Sequence, residues 1–146
     1  MILILSVGPR LSNKALRILI ADEQHLQRMS IERLFNHLGY YRIAPVHHFA
    51  ELLNLVEHAG VAFDLLVINA GLASGQAQGL AVLFDNPQVR RLFIYNWPRG
   101  QCPPALTDRQ RVWVSPLPLP DLSAIQPLTE HAGVPLPFVG TVISVR

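Results

Sequence analysis

Apolar residues along the chain follow two periods in alternation. The run LRILIA (16–21) is short and rich in Leu and Ile, which suits a buried strand. Residues 24–38 then place Ile31, Leu34, Phe35 and Leu38 on one helical face, with Gly39 as the stop. YRIAPV (41–46) has the character of a second short strand, and its Pro45 places it at a sheet edge or a strand end, because proline has no N–H to give to a ladder. Phe49, Leu52, Leu53 and Val56 repeat the helical spacing before Gly60. FDLLVINAGL (63–72) is a third strand that stops in a small-residue loop. Three strands alternating with two helices through short joints predict parallel strands, right-handed crossovers and helices on both faces of the sheet. The predicted fold class is therefore α/β, a doubly wound sandwich.

The second half is less regular. Residues 76–84 can form a short third helix, RLFIY (91–95) a fourth strand and RVWV (111–114) a fifth, for a five-stranded parallel sheet. The joint between the last two strands, NWPRGQCPPALTDRQ, carries Pro98, Gly100, Pro103 and Pro104, so the expected fourth helix is lost or shortened. Asp121 suits the cap of a short helix through Leu122 and Ile125, and Pro127 the opening of another that ends at Gly133. MILILSV (1–7) and FVGTVISV (138–145) have the apolar, β-branched character of strands, and both are expected to extend the sheet or to pair with another subunit.

Composition narrows the function classes. With 146 residues, half of them apolar and 15% charged, the chain suffices for one domain with a real core. The net charge of +2 comes from scattered arginines with no basic stripe, which argues against nucleic acid. The single Cys102 rules out an internal disulfide framework and fits a reducing compartment. MILILSV is too short for a membrane span and lacks the flanks of a signal peptide, so the expected location is the cytoplasm. The six histidines show no zinc-ligand spacing, and no nucleophile elbow or phosphate-binding glycine loop occurs. GLASGQAQG (71–79) follows the wrong strand for such a loop and lacks a basic partner.

The order βαβαβ, the acidic pair Asp22 and Glu23 directly after the first strand, DLLVIN with its loop, a fourth strand ending at Asn96 and a fifth followed by Ser115 and Pro116 resemble the receiver domain of two-component response regulators. The resemblance covers residues 15–132 of a single domain, with 1–14 and 133–146 as terminal extensions. It implies a phosphoacceptor Asp ending strand three, a magnesium ion held by that Asp and the acidic pair, a hydroxyl ending strand four and a Lys–Pro pair ending strand five. Here the acceptor position is Asn69, the hydroxyl position Asn96 and the lysine position Ser115. An amide neither attacks phosphorus nor binds magnesium well. The only lysine, Lys14, precedes strand one, so no shift of register restores the missing cation.

These departures point to a phosphorylation-independent pseudo-receiver that acts through a protein partner, with no cofactor, no metal and no enzymatic activity. Asp22 and Glu23 without a third carboxylate make a weak cation site and are better explained as a helix cap. Two other readings stand beside it: a phosphorylated receiver with a displaced acceptor at Asp64 or Asp22, and a small-ligand sensor using the uncharged cleft. The candidate interaction surface is Tyr95, Trp97, Pro98 and Trp113, where a partner or a second copy of this chain would dock. Core filling is the alternative for Tyr95 and Trp113, and Trp97 has the better case for exposure.

Overall fold

The computed structural model describes residues 15–74, 79–100 and 111–131. β1 (Ile18–Ala21), α1 (His25–His37), β2 (Ile43–Val46), α2 (Phe49–Glu57) and β3 (Leu65–Asn69) follow one another with short joints. A single 3-10 turn (Ala70–Ala73), a one-turn helix α3 (Ala81–Phe84), β4 (Leu92–Tyr95), β5 (Val112–Val114) and α4 (Leu122–His131) complete them. All ladders are parallel, as the alternating periodicity predicts, and the strand order is β2-β1-β3-β4-β5, the flavodoxin-like arrangement that the resemblance implies. β2 is an edge strand, where its proline belongs.

Side chains alternate across the sheet, and each parity builds its own core. Ile18, Ile20, Leu65, Val67, Phe93 and Tyr95 meet Ile31 and Phe35 of α1 and Ile125 and Leu128 of α4. Leu19, Ala21, Leu66, Ile68, Leu92, Ile94 and Val112 meet Phe49, Leu52 and Val56 of α2 and Leu83 of α3. α1 ends as expected at Gly39. Its φ of 97° lets Gly39 N–H reach Asn36 O and Tyr40 N–H reach Phe35 O, a paired closure that also buries Tyr40.

The last helix corrects the sequence reading. One helix runs from Leu122 to His131 straight through Pro127, where two pieces were expected. Pro127 forfeits one backbone bond, but burial of Ile125, Leu128 and Thr129 along one face holds the helix across it. The N-terminus is capped by Asp121 as anticipated: its Oδ1 accepts from Ser123 Oγ at 2.8 Å and from Ala124 N at 3.0 Å. Between β4 and β5, residues 96–100 hold no helix. The expectations for 101–110 and for both terminal segments lie outside the described residues. Among the described residues no helix is long and apolar enough to cross a membrane.

Candidate functional site

The carboxyl ends of β1, β3 and β4 bring three polar side chains onto one row. Asp22 continues β1 with the parity of Ile18 and Ile20, while Asn69 pairs directly with Tyr95 in the β3–β4 ladder. All three therefore belong to the α1 side of the sheet. The sequence expectation had placed the hydroxyl position at Asn96. The structure puts a hydroxyl one residue earlier, on Tyr95, and buries it completely.

Asp22 is the centre of this row and is 1% exposed. Its Oδ2 accepts from Tyr95 Oη at 2.6 Å and from Asn69 Nδ2 at 3.0 Å, and its Oδ1 accepts from Gln24 N at 2.9 Å, a side-chain turn that leads into α1. Burial, then the hydrogen bond and charge of Asp22, push the Tyr95 phenol far above its ordinary range, with Arg28 partly opposing them. The phenol therefore stays protonated and donates. Arg28, also buried, donates to the main-chain carbonyl of Asp22 and lies 3.3 Å from His25 Nδ1. Its Nε has no partner among the described residues.

Asn69 uses both ends of its amide. While Nδ2 donates to Asp22, Oδ1 accepts from Gly71 N at 2.8 Å and from Asn96 Nδ2 at 3.1 Å. Only an amide can donate to one loop and accept from two others, and that is the physical reason for a neutral polar residue at this strand end. Gly71 is matched to it, because a Cβ there would stand 3.2 Å from Asn69 Oδ1. Asn96 has φ 59°, a left-handed conformation that Asn tolerates better than other side-chain-bearing residues. Its N–H donates to Leu117 O, and Trp97 N–H donates to Ser115 O, so the loops after β4 and β5 are tied together.

These residues enclose a shallow cleft of ≈ 190 Å³ lined by Asp22, Glu23, Gln24, Asn69, Gly71, Leu72 and Asn96. Glu23 is exposed beside it. Ser115 does not line it; its Oγ accepts from Leu117 N at 3.2 Å. The magnesium ion that the resemblance implies does not fit this donor set. Asp22 already takes three hydrogen bonds, Asn69 Oδ1 takes two, and no group of three His, Cys, Asp or Glu side chains occurs among the described residues.

The candidate interaction residues separate. Tyr95 belongs to the core and to the Asp22 cluster, so it offers no surface. Trp113 is half-buried against the α1-side core, with the Arg91 guanidinium 5.6 Å from its ring centroid. Trp97 is also half-buried, packed against the other core, while Pro98 is exposed. Asp64 lies at the opposite edge of the sheet, accepting from Arg17 N at 2.8 Å and paired with Arg90 at 3.6 Å. Tyr95 and Arg28 as partners of Asp22 escaped the sequence reading; the parity of Phe93 and Tyr95 in a fourth strand was the available signal. Comparison of the chain with models of known protein families and with curated proteins finds no match.

Proposed function

We propose that this protein is a receiver-like scaffold that works in signal transduction by binding a protein partner, without aspartyl phosphorylation and without enzymatic activity. The observation that carries the reading is the shared carboxylate: Asp22 Oδ2 is held by Tyr95 and Asn69, and Asn69 stands where an acceptor would have to be. A site for phosphoryl transfer needs a free nucleophilic carboxylate, a metal and a cation for the transferred group. Here the buried carboxylate is spent on neutral donors. Asp64, the other acceptor considered, faces the far edge and is engaged by Arg17 and Arg90. A cleft of ≈ 190 Å³ is small beside the several hundred cubic ångströms usual for organic ligands, which weakens the sensor reading.

The test is intact mass and tryptophan fluorescence after incubation with acetyl phosphate, and with beryllofluoride, each in the presence of magnesium. No adduct and no spectral change are expected; stoichiometric labelling of an aspartate would sink the proposal. For the partner surface, Trp97 with Pro98 remains the proposed anchor, either for another protein or for a second copy. Because Trp97 is half-buried, Trp97→Ala is expected to cost about 1–2 kcal/mol of stability as well as partner capture. Capture unchanged in a folded Trp97→Ala variant would move the interface elsewhere.

A further inference from the structure

Tyr95 and Trp97 are next-but-one neighbours in the chain, yet they lie on opposite faces of the sheet. Tyr95 belongs with Phe93 to the α1-side core, whereas Trp97 packs on the core beneath α2 and α3. A continued strand would carry both on one face, because side chains at i and i+2 point the same way. The parity is reversed at Asn96. Its φ of 59° is left-handed, and among the described residues no other residue with a side chain has a positive φ.

Left-handed backbone is unfavourable for any residue with a Cβ, asparagine included, so contacts have to hold it. Asn96 Nδ2 donates to Asn69 Oδ1 at 3.1 Å, and Asn69 is itself fixed by donating to Asp22 Oδ2 at 3.0 Å and accepting from Gly71 N at 2.8 Å. On the backbone, Asn96 N donates to Leu117 O at 2.7 Å and Trp97 N to Ser115 O at 3.0 Å. The contact between the two amides is solvent-exposed, where a single hydrogen bond contributes little and opens readily. A conformation that decides which face carries a tryptophan therefore depends on a contact that breaks easily.

We propose that Asn96 is the pivot, and Asn69 the latch, of a tryptophan with two positions. With residue 96 left-handed, the indole of Trp97 is tucked against the α2 and α3 core. With residue 96 extended, the parity of β4 continues and the indole turns away from that core. The proposal rests on the reading of Trp97 as the anchor for a partner and adds its regulation: the partner takes the indole in the released position. Whatever strengthens or breaks the contact between Asn69 and Asn96 then sets the fraction of the protein that is competent to bind.

In a Trp113→Phe background Trp97 is the sole tryptophan of the full-length chain and reports its own position. Asn69→Ala removes the latch and should raise the ratio of released to tucked indole by roughly 5- to 30-fold, the factor set by the left-handed preference of a residue with a side chain. The readouts are stronger acrylamide quenching, red-shifted emission and faster exchange of the Trp97 amide. Asn96→Gly should stay near the parent, since glycine is left-handed without strain and needs no latch. The double variant Asn69→Ala with Asn96→Gly should then restore the tucked indole, a rescue that general loosening of the fold would not produce. Slow exchange of the Ile20, Val67 and Ile94 amides reports an intact sheet in each variant. Asn96→Val, which leaves Asn69 on Asp22 and disfavours left-handed backbone, should release the indole as well and decides the matter if Asn69→Ala does not fold. A Trp97 as protected as the parent's in either folded variant overturns the proposal, and so does a double variant as exposed as Asn69→Ala. Unchanged partner capture by a folded Trp97→Ala variant would sink the anchor reading and leave the two positions of the indole standing, so the two failures are distinguishable.

Discussion

Replacing Asn69 by aspartate tests the centre of the site most directly. The substitution removes the donor that lies 3.0 Å from Asp22 Oδ2 and sets a second carboxylate in its place. A hydrogen bond to a charged acceptor contributes about 1.5–3 kcal/mol. Two unit charges 4 Å apart repel by about 4 kcal/mol at an effective dielectric of 20. Asn69 is only half-buried, so water screens part of the repulsion, and uptake of one proton shared between the two carboxyls caps the rest. The net cost at pH 7 should be about 3 kcal/mol, a drop in Tm of about 6–12 °C for a domain of this size. The sign with pH follows from the shared proton. A carboxyl pair that holds a proton more tightly folded than unfolded costs stability at neutral pH and returns it as pH falls toward about 4. Thermal melts of Asn69→Asp and the parent from pH 4 to 8 measure both the cost and its decline. An unchanged Tm at pH 7 would refute the contact with Asp22. Asn69→Asp should also remain unlabelled by acetyl phosphate, since Lys14, the only lysine, lies before β1.

Three further outcomes follow from other parts of the fold. The phenol of Tyr95 should ionise only on alkaline unfolding; its raised folded-state pKa contributes stability that is present below about 10 and lost as pH rises above it, an effect absent in Tyr95→Phe. Spectrophotometric titration of both proteins checks this, and a Tyr95 phenol that ionises while the protein is still folded would contradict the buried contact. Asp121→Ala should fray α4 and lower Tm at neutral pH. The Ser123 hydroxyl first, and then the Ala124 N–H, lower the Asp121 pKa below 3.8, so its contribution is present above that value and lost as pH falls through the lowered folded-state pKa; Tm curves that fail to converge at low pH would refute the cap. Arg111→Lys should cost about 2–3 kcal/mol, because the guanidinium of Arg111 donates to the carbonyls of Phe84, Asn86, Val89 and Arg90 and an ammonium cannot span them. Chemical denaturation measures it, and a neutral result would mean the turn before β4 is held by other contacts.

Local pattern determined much of this protein. Continuous apolar runs and helical spacing are properties of the chain alone, and they were enough to specify five parallel strands, helices on both faces, an edge or strand-end position for Pro45 and the stop at Gly39. The departures from the receiver pattern at Asn69 and Ser115, and the lack of a lysine beyond residue 14, are also facts of sequence. What tertiary structure decided are the matters that depend on register and on packing between distant segments. Asp22 and Tyr95 are 73 residues apart, and only the pairing of Asn69 with Tyr95 across β3 and β4 brings the phenol to the carboxylate. Pro127 sits within a helix because burial of Ile125 and Leu128 outweighs one lost backbone bond, a balance that no local propensity contains. Trp97 is half-buried although its neighbours in sequence are loop residues, because the chain folds it back onto the core beneath α2 and α3. In each case a local preference was overruled by the free energy of surfaces brought together from far along the chain.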